Sequence, residues 1–267
     1  MRIDVRGLTF DVRAGGPADG DPVLLLHGFP QDSREWDGIT GGLHDAGLRT
    51  FALDQRGYSP GARPAGSAAY RMAETVADAV AVLDALGLPD AHVVGHDWGA
   101  VVAWHVAARH PDRVRTLTAV SVPHPLAYAT SVKKDPAQAV RSAYMLFFRT
   151  PWLPEKVLSA RGGALLRRIA GGNPTLPPDS LTGALNWYRS ASGHDLKGIG
   201  PVTVPTTYVW SDRDVAISGH AARRCAAHVT GDYRFVTLEG VSHWIPDEAP
   251  DRLLDAVLAR VSPRRPR

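Results

Sequence analysis

The chain has 267 residues, of which 44% are hydrophobic and 21% charged, an ordinary globular composition that one α/β domain can accommodate. Its net charge of +3 comes from the end: the last six residues hold Arg264, Arg265 and Arg267 and no acid, and the remainder balances 27 basic against 27 acidic residues, which argues against a nucleic-acid partner. The single cysteine, Cys225, excludes an intramolecular disulfide, and without a signal-like core or a run of about 20 apolar residues the reading is a soluble, cytoplasmic protein with no membrane partner.

In chain order, Ile3–Val5 and Leu8–Val12 alternate like the two arms of a hairpin. Pro22–His27 is a continuous apolar run closed by Gly28, which suits a strand buried on both faces. A helix is predicted over Trp36–Ala46, a strand over Arg49–Asp54, a Gly/Pro-rich loop over Gln55–Gly66 and a helix over Met72–Leu86. The strand Ala91–Gly95, the helix Gly99–Arg109 and the strand Val114–Val120 follow. This alternation predicts a parallel sheet with right-handed crossovers. The rhythm breaks at Val122–Tyr128, and up to Pro205 only helical stretches are read, over Ala137–Phe148, Leu165–Ala170 and Ser180–Ser192. It resumes with the strand Thr206–Ser211, the helix Gly219–His228, the strand Arg234–Gly240 and the helix Asp247–Val261. A helical insertion at that point lies over the carboxyl ends of the strands, where open α/β sheets bind ligands.

The stretch Gly95-His96-Asp97-Trp98-Gly99 stands at a strand-to-helix junction. It has the frame of a nucleophile elbow, in which two glycines permit a turn sharp enough to lift the central side chain above the sheet. The helix N-terminus after it favours negative charge. Downstream, Asp212 and Asp214 follow one strand end and His243 follows another, giving the order nucleophile, acid, histidine. Upstream, Gly28-Phe29 follows a strand end, so that the backbone N–H groups of Phe29 and Trp98 can form an oxyanion hole. His27 and His96 read as packing and loop-shaping residues. The stretch Gly61–Ser67 has glycines but no lysine and is not a phosphate loop, and no cluster has metal-ligand spacing.

The whole chain apart from its tail resembles the α/β-hydrolase superfamily, and within it the epoxide hydrolases. The stretches HGFP, DQRGYSPGARP, GHDWGA and LNWYR carry the resemblance. It implies the α/β-hydrolase fold, a mostly parallel eight-stranded sheet flanked by helices with a helical cap after the sixth strand. The core would span 1–122 and 205–262, the cap 123–204, and 263–267 would be a disordered basic tail. An aspartate nucleophile already carries its charge and can bond to a saturated carbon, so Asp97 would form an alkyl ester. His243 would then activate the water that attacks this ester, with an acid orienting the imidazole. Relatives place that acid three residues after a small residue closing the strand, which counts from Ser211 to Asp214 and favours it over Asp212.

The resemblance also implies two lid tyrosines that polarise the epoxide oxygen. Tyr188 matches the second; alignment by the nearby proline brings Phe147 to the first, with Tyr144 one helical turn earlier. Either Tyr144 substitutes, or Tyr188 works alone, or the substrate is not an epoxide. Phe147, Trp187, His124 and Trp244 are expected to line the pocket. The partners implied are a small epoxide and water, with no cofactor or metal, in a monomer or homodimer. A haloalkane or haloacid dehalogenase is the alternative reaction, with Trp98 and Trp187 or Trp152 as halide donors. A hydrolase-fold ligand-binding protein is the alternative of another class.

Overall fold

Strand β1 (Arg2–Val5) turns through Arg6 and Gly7, both at positive φ, into antiparallel β2 (Leu8–Gly15). The structure, a computed structural model, describes residues 1–171, 174–177 and 179–261. The tail read over 263–267 lies outside the described residues. Strand β3 (Asp21–Leu26) pairs parallel with β4 (Leu48–Leu53), and β4 pairs antiparallel with β2. Strands β5 (Ala91–His96), β6 (Val114–Val120), β7 (Thr206–Ser211) and β8 (Tyr233–Leu238) extend the parallel part. The eight strands lie in the order β1-β2-β4-β3-β5-β6-β7-β8. This is the mostly parallel eight-stranded sheet expected of the α/β-hydrolase fold.

The apolar runs are continuous because both sheet faces are covered. Val23, Leu25, Ala52, Val94, Val120 and Val209 pack with helices α1 (Asp37–Asp45) and α11 (Pro250–Val261). Their neighbours in the same strands, Leu24, Leu26, Phe51, Val93 and Leu117, point the other way. They pack with α2 (Met72–Ala85) and α3 (Trp98–Arg109). The period of two along each strand thus feeds two separate cores.

Between β6 and β7 the chain is helical: α4 (Pro125–Lys134), α5 (Pro136–Arg141), α6 (Tyr144–Phe148), α7 (Leu153–Ile169) and α8 (Leu181–Ser190). The helices differ from the sequence reading at five places. Helix α4 falls where the rhythm was read as broken. Pro125 stands at its first turn, where a missing N–H costs nothing, and the His124 side chain accepts from the Leu126 N–H. The stretch read as one helix over 137–148 is two, α5 and α6. The Asp135 side chain caps α5 by accepting from the Ala137 N–H. Helix α7 is interrupted where Arg161, Gly162 and Gly163 adopt left-handed conformations in succession. The last predicted helix is split into α10 (Ile245–Glu248) and α11 because Pro250 cannot continue the hydrogen-bond ladder. Gly219–Arg224 forms α9, and its expected continuation to His228 is a tighter 3-10 turn. Among the described residues, no helix is long and apolar enough to cross a membrane.

Candidate active site

Asp97 joins β5 to α3 with φ 50° and ψ −117°, a strained backbone for a residue with a side chain. The glycines around it answer to crowding. A Cβ on Gly99 would lie 1.9 Å from the Leu26 carbonyl oxygen, one on Gly95 2.3 Å from the Gly99 carbonyl oxygen, and one on Gly28 2.4 Å from the Asp97 Cβ. The elbow is therefore held against the end of β3, and this close approach brings the Gly28-Phe29 loop onto the carboxylate. The Phe29 N–H donates to Asp97 Oδ1 at 2.9 Å.

Asp97 Oδ2 faces His243 Nε2 at 3.4 Å, and His243 Nδ1 faces Asp214 Oδ2 at 2.8 Å. All three side chains are buried. Asp214 is fixed by two backbone donors, Ala216 N–H at 2.7 Å and Ile217 N–H at 2.8 Å, both to Oδ1. The Arg141 guanidinium donates to its carbonyl. Asp212 turns away and accepts from the Gly240 N–H at 2.8 Å. The sheet brings together residues from the ends of β3, β5, β7 and β8, which are far apart in the chain.

An imidazole between two carboxylates is a trapped cation. Burial alone would lower the pKa of His243, but the charge and hydrogen bond of Asp214, followed by those of Asp97, raise it to about 10. Burial would raise the pKa of Asp97, but the hydrogen bond and charge of His243 hold it below its ordinary value. The pairing thus favours a protonated His243 beside an ionised Asp97.

A second layer supports the first. His96 Nδ1 lies 2.5 Å from Glu35 Oε1, and His96 Nε2 lies 3.0 Å from the His243 carbonyl oxygen. Both partners are acceptors, so both ring nitrogens carry protons. Burial opposes this charge, while Glu35 supplies the field that raises the pKa. Ser121 Oγ donates to the same His243 carbonyl at 2.8 Å, and the Gly28 N–H donates to Glu35 Oε2 at 3.3 Å. His96, read as a packing and loop-shaping residue, thus links, through Glu35, the Gly28-Phe29 loop to the loop of His243. Glu35 was not anticipated; its partner stands 61 residues away and no local pattern marks it.

On the far side of Asp97 a cavity of about 370 Å³ opens between α3, the 121–125 segment and the inserted helices. Tyr144, Tyr188, Trp98 and Asp97 stand on its wall, among Val101, Met145 and Ile217. The Tyr188 ring packs edge-on against Phe29 at 5.4 Å, Trp98 at 5.1 Å and Phe148 at 5.0 Å, and lies 6.1 Å from the Tyr144 ring. Burial pushes both phenols well above their ordinary pKa; Asp97 adds to this for Tyr144, and Tyr144 and then Asp97 for Tyr188. Both therefore stay neutral donors near neutral pH. Tyr144 is 38% exposed, so it is the outer member of the pair.

Four side chains expected on the cavity wall are placed elsewhere. Phe147 packs beside Phe148, and it is Phe148, four residues after Tyr144, that faces Tyr188. Helix α6 is rotated so that positions 144 and 148 face α8, which turns 147 aside. Trp187 is buried with its Nε1 donating to the Arg56 carbonyl at 2.8 Å. His124 is buried at the start of α4 and stacks on His228 at 4.8 Å. Trp244 packs edge-on over His243 at 5.1 Å and His96 at 5.9 Å, behind the imidazole rather than on the cavity. The wall residues Tyr128, Met145 and His105 escaped the sequence reading. For His105 a signal exists: with Asp97 and Val101 it lies on one helical stripe at spacings of four.

Comparison with known proteins supplies the setting. A sequence model of the α/β hydrolase fold matches residues 21–150. The AB hydrolase superfamily protein YfhM of Bacillus subtilis is 32% identical, over 93% of this chain and 92% of that one. Epoxide hydrolase A of Mycobacterium tuberculosis is 30% identical, over 96% of this chain and 95% of that one. Among solved structures, epoxide hydrolase A from Mycobacterium thermoresistibile superposes with a TM-score of 0.85 at 26% identity, over 98% and 97% of the two chains.

Proposed function

The chain belongs to the epoxide hydrolase family of the α/β-hydrolase superfamily, and from that premise we propose that it opens a small epoxide to a vicinal diol through an ester on Asp97. The observation that carries this reading is the position of Asp97. It stands between the His243–Asp214 pair on one side and two neutral phenols facing the cavity on the other.

Asp97 Oδ1 is held by the Phe29 N–H, which leaves Oδ2 to attack a ring carbon. The carbon–oxygen bond of the ring breaks as the ester bond forms. The oxygen that leaves gains charge, and Tyr188 and Tyr144 donate to it from the cavity wall. Water then attacks the ester carbonyl of Asp97. The N–H groups of Phe29 and Trp98 take the resulting oxyanion, and His243 removes the proton from the water. Collapse releases the diol and restores the carboxylate.

The electrostatics favour this order of events. Before attack, both carboxylates hold the imidazole protonated. Alkylation makes Asp97 a neutral ester and removes one of the two charges that sustain the imidazolium. The pKa of His243 falls, the proton it gives up completes the hydroxyl on the ring oxygen, and the free imidazole then serves as the base for the attacking water. We assign the helices over residues 123–204 to a cap that closes the cavity and carries the tyrosines. The dehalogenase alternative is less well supported, since Trp187 spends its N–H on the Arg56 carbonyl and Trp152 is 65% exposed.

The test is His243→Gln. Incubated with an epoxide and analysed by intact mass, it should accumulate protein heavier by one substrate, because the hydrolytic step loses its base and slows by about 10²- to 10⁴-fold. Consumption of the epoxide with an unshifted protein mass rejects the ester.

A further inference from the structure

The cavity does not end at the tyrosines. It runs from Asp97 along α3, whose residues Val101 and His105 also line it. At a rise of 1.5 Å per residue, the backbone of His105 lies about 12 Å beyond that of Asp97. His105 is 1% exposed, and neither ring nitrogen has a hydrogen-bond partner among the described residues. An imidazole buried in this state is costly to keep for packing alone, since an apolar ring of similar size fills the same space without stranding two polar atoms. His105 also forms, with Met72 and Asp195, the partition between the cavity and a neighbouring groove along α2 and α3.

We infer that His105 is a specificity-determining contact at the far end of the cavity, selecting epoxides that carry a neutral hydroxyl on the order of 10 Å from the ring. The inference rests on the epoxide reading above and names the class of substrate. A neutral imidazole offers one donor and one acceptor, and a hydroxyl answers both. Burial, with the charge of Arg109 behind it, pushes the His105 pKa down to about 4, so the ring carries no charge that would favour a carboxylate at this end. The wall between the two ends is largely apolar, with Val101, Val122, Pro125, Met145 and Leu196. Such a cavity accepts a hydrocarbon chain with a polar group at each end.

The test compares a straight-chain terminal epoxide of about ten carbons with its counterpart bearing a hydroxyl at the other end. The quantity read is the ratio of kcat/KM for the two substrates, in the natural chain and in His105→Leu and His105→Gln. The ratio should fall about tenfold in His105→Leu, which cannot bond the hydroxyl, and stay within about threefold in His105→Gln, which can. Thermal melting should show both variants folded. A ratio unchanged in His105→Leu overturns the inference. Calorimetric binding of the two product alcohols to the same three proteins repeats the comparison without turnover. Absence of diol from both substrates with the binding ratio intact therefore overturns the reaction and keeps the subsite. Equal binding ratios in all three proteins overturn the subsite and leave the reaction standing.

Discussion

Replacing Asp97 by asparagine imitates, in a stable protein, the charge change that alkylation brings about. The natural imidazole of His243 has its pKa raised to about 10 by Asp214 and then Asp97. A full charge at the 3.4 Å separating His243 Nε2 from Asp97 Oδ2 is worth about 5 kcal/mol at an effective dielectric constant of about 20. Sharing that charge over two oxygens, one of them already bonded to the Phe29 N–H, halves it to about 2.5 kcal/mol, close to two pH units. In Asp97→Asn the His243 titration is therefore expected near pH 8. NMR of histidine-labelled protein follows the ring directly, and the His243→Gln spectrum assigns its signal. The sign is fixed: losing a negative neighbour lowers the pKa of a base. A titration left in place, or moved upward, means that Asp97 does not sustain the imidazolium. The proposed release of the base by alkylation then falls with it.

The two phenols should affect only the first half of the reaction. Tyr188→Phe and Tyr144→Phe are each expected to slow single-turnover alkylation, by up to about 10²- to 10³-fold if either is the principal donor. Hydrolysis of the preformed ester should be nearly unchanged in both, and an unchanged alkylation rate in quenched-flow measurements removes that tyrosine from the reaction. The elbow should tolerate no added methyl group. In Gly99→Ala the new Cβ would lie 1.9 Å from the Leu26 carbonyl oxygen, and the backbone must move. A loss of at least about 1–3 kcal/mol is expected in urea unfolding, with reduced alkylation. Stability and activity equal to those of the natural chain show that the strand and elbow are not in close contact.

Strands and elbow were legible because they rest on short-range physics. A strand buried on both faces must be apolar at every position, and Val23–Leu26 declares this in four letters. A sharp turn under steric pressure needs glycines at fixed offsets, and Gly95 and Gly99 supply them around Asp97. His243 and Phe29 were legible by their place just past strand ends, since the carboxyl edge of a parallel sheet gathers such positions; Asp214 shares that place with Asp212, and the resemblance to relatives favoured it. The inserted helices are another matter. Helix α6 has five residues, too few to reveal which side faces inward. Its rotation is set by packing of Tyr144 and Phe148 against Tyr188, so alignment by the nearby proline misplaced Phe147. The bond between His96 and Glu35, and the pair of unpartnered nitrogens on His105, likewise arise only from the assembled fold. The sequence by itself determined the sheet and the sharp turn at Asp97, because periodicity and sterics act between near neighbours. Only the tertiary structure decided which polar groups meet and which side chains face the cavity, because those depend on how separate elements rotate and dock on one another.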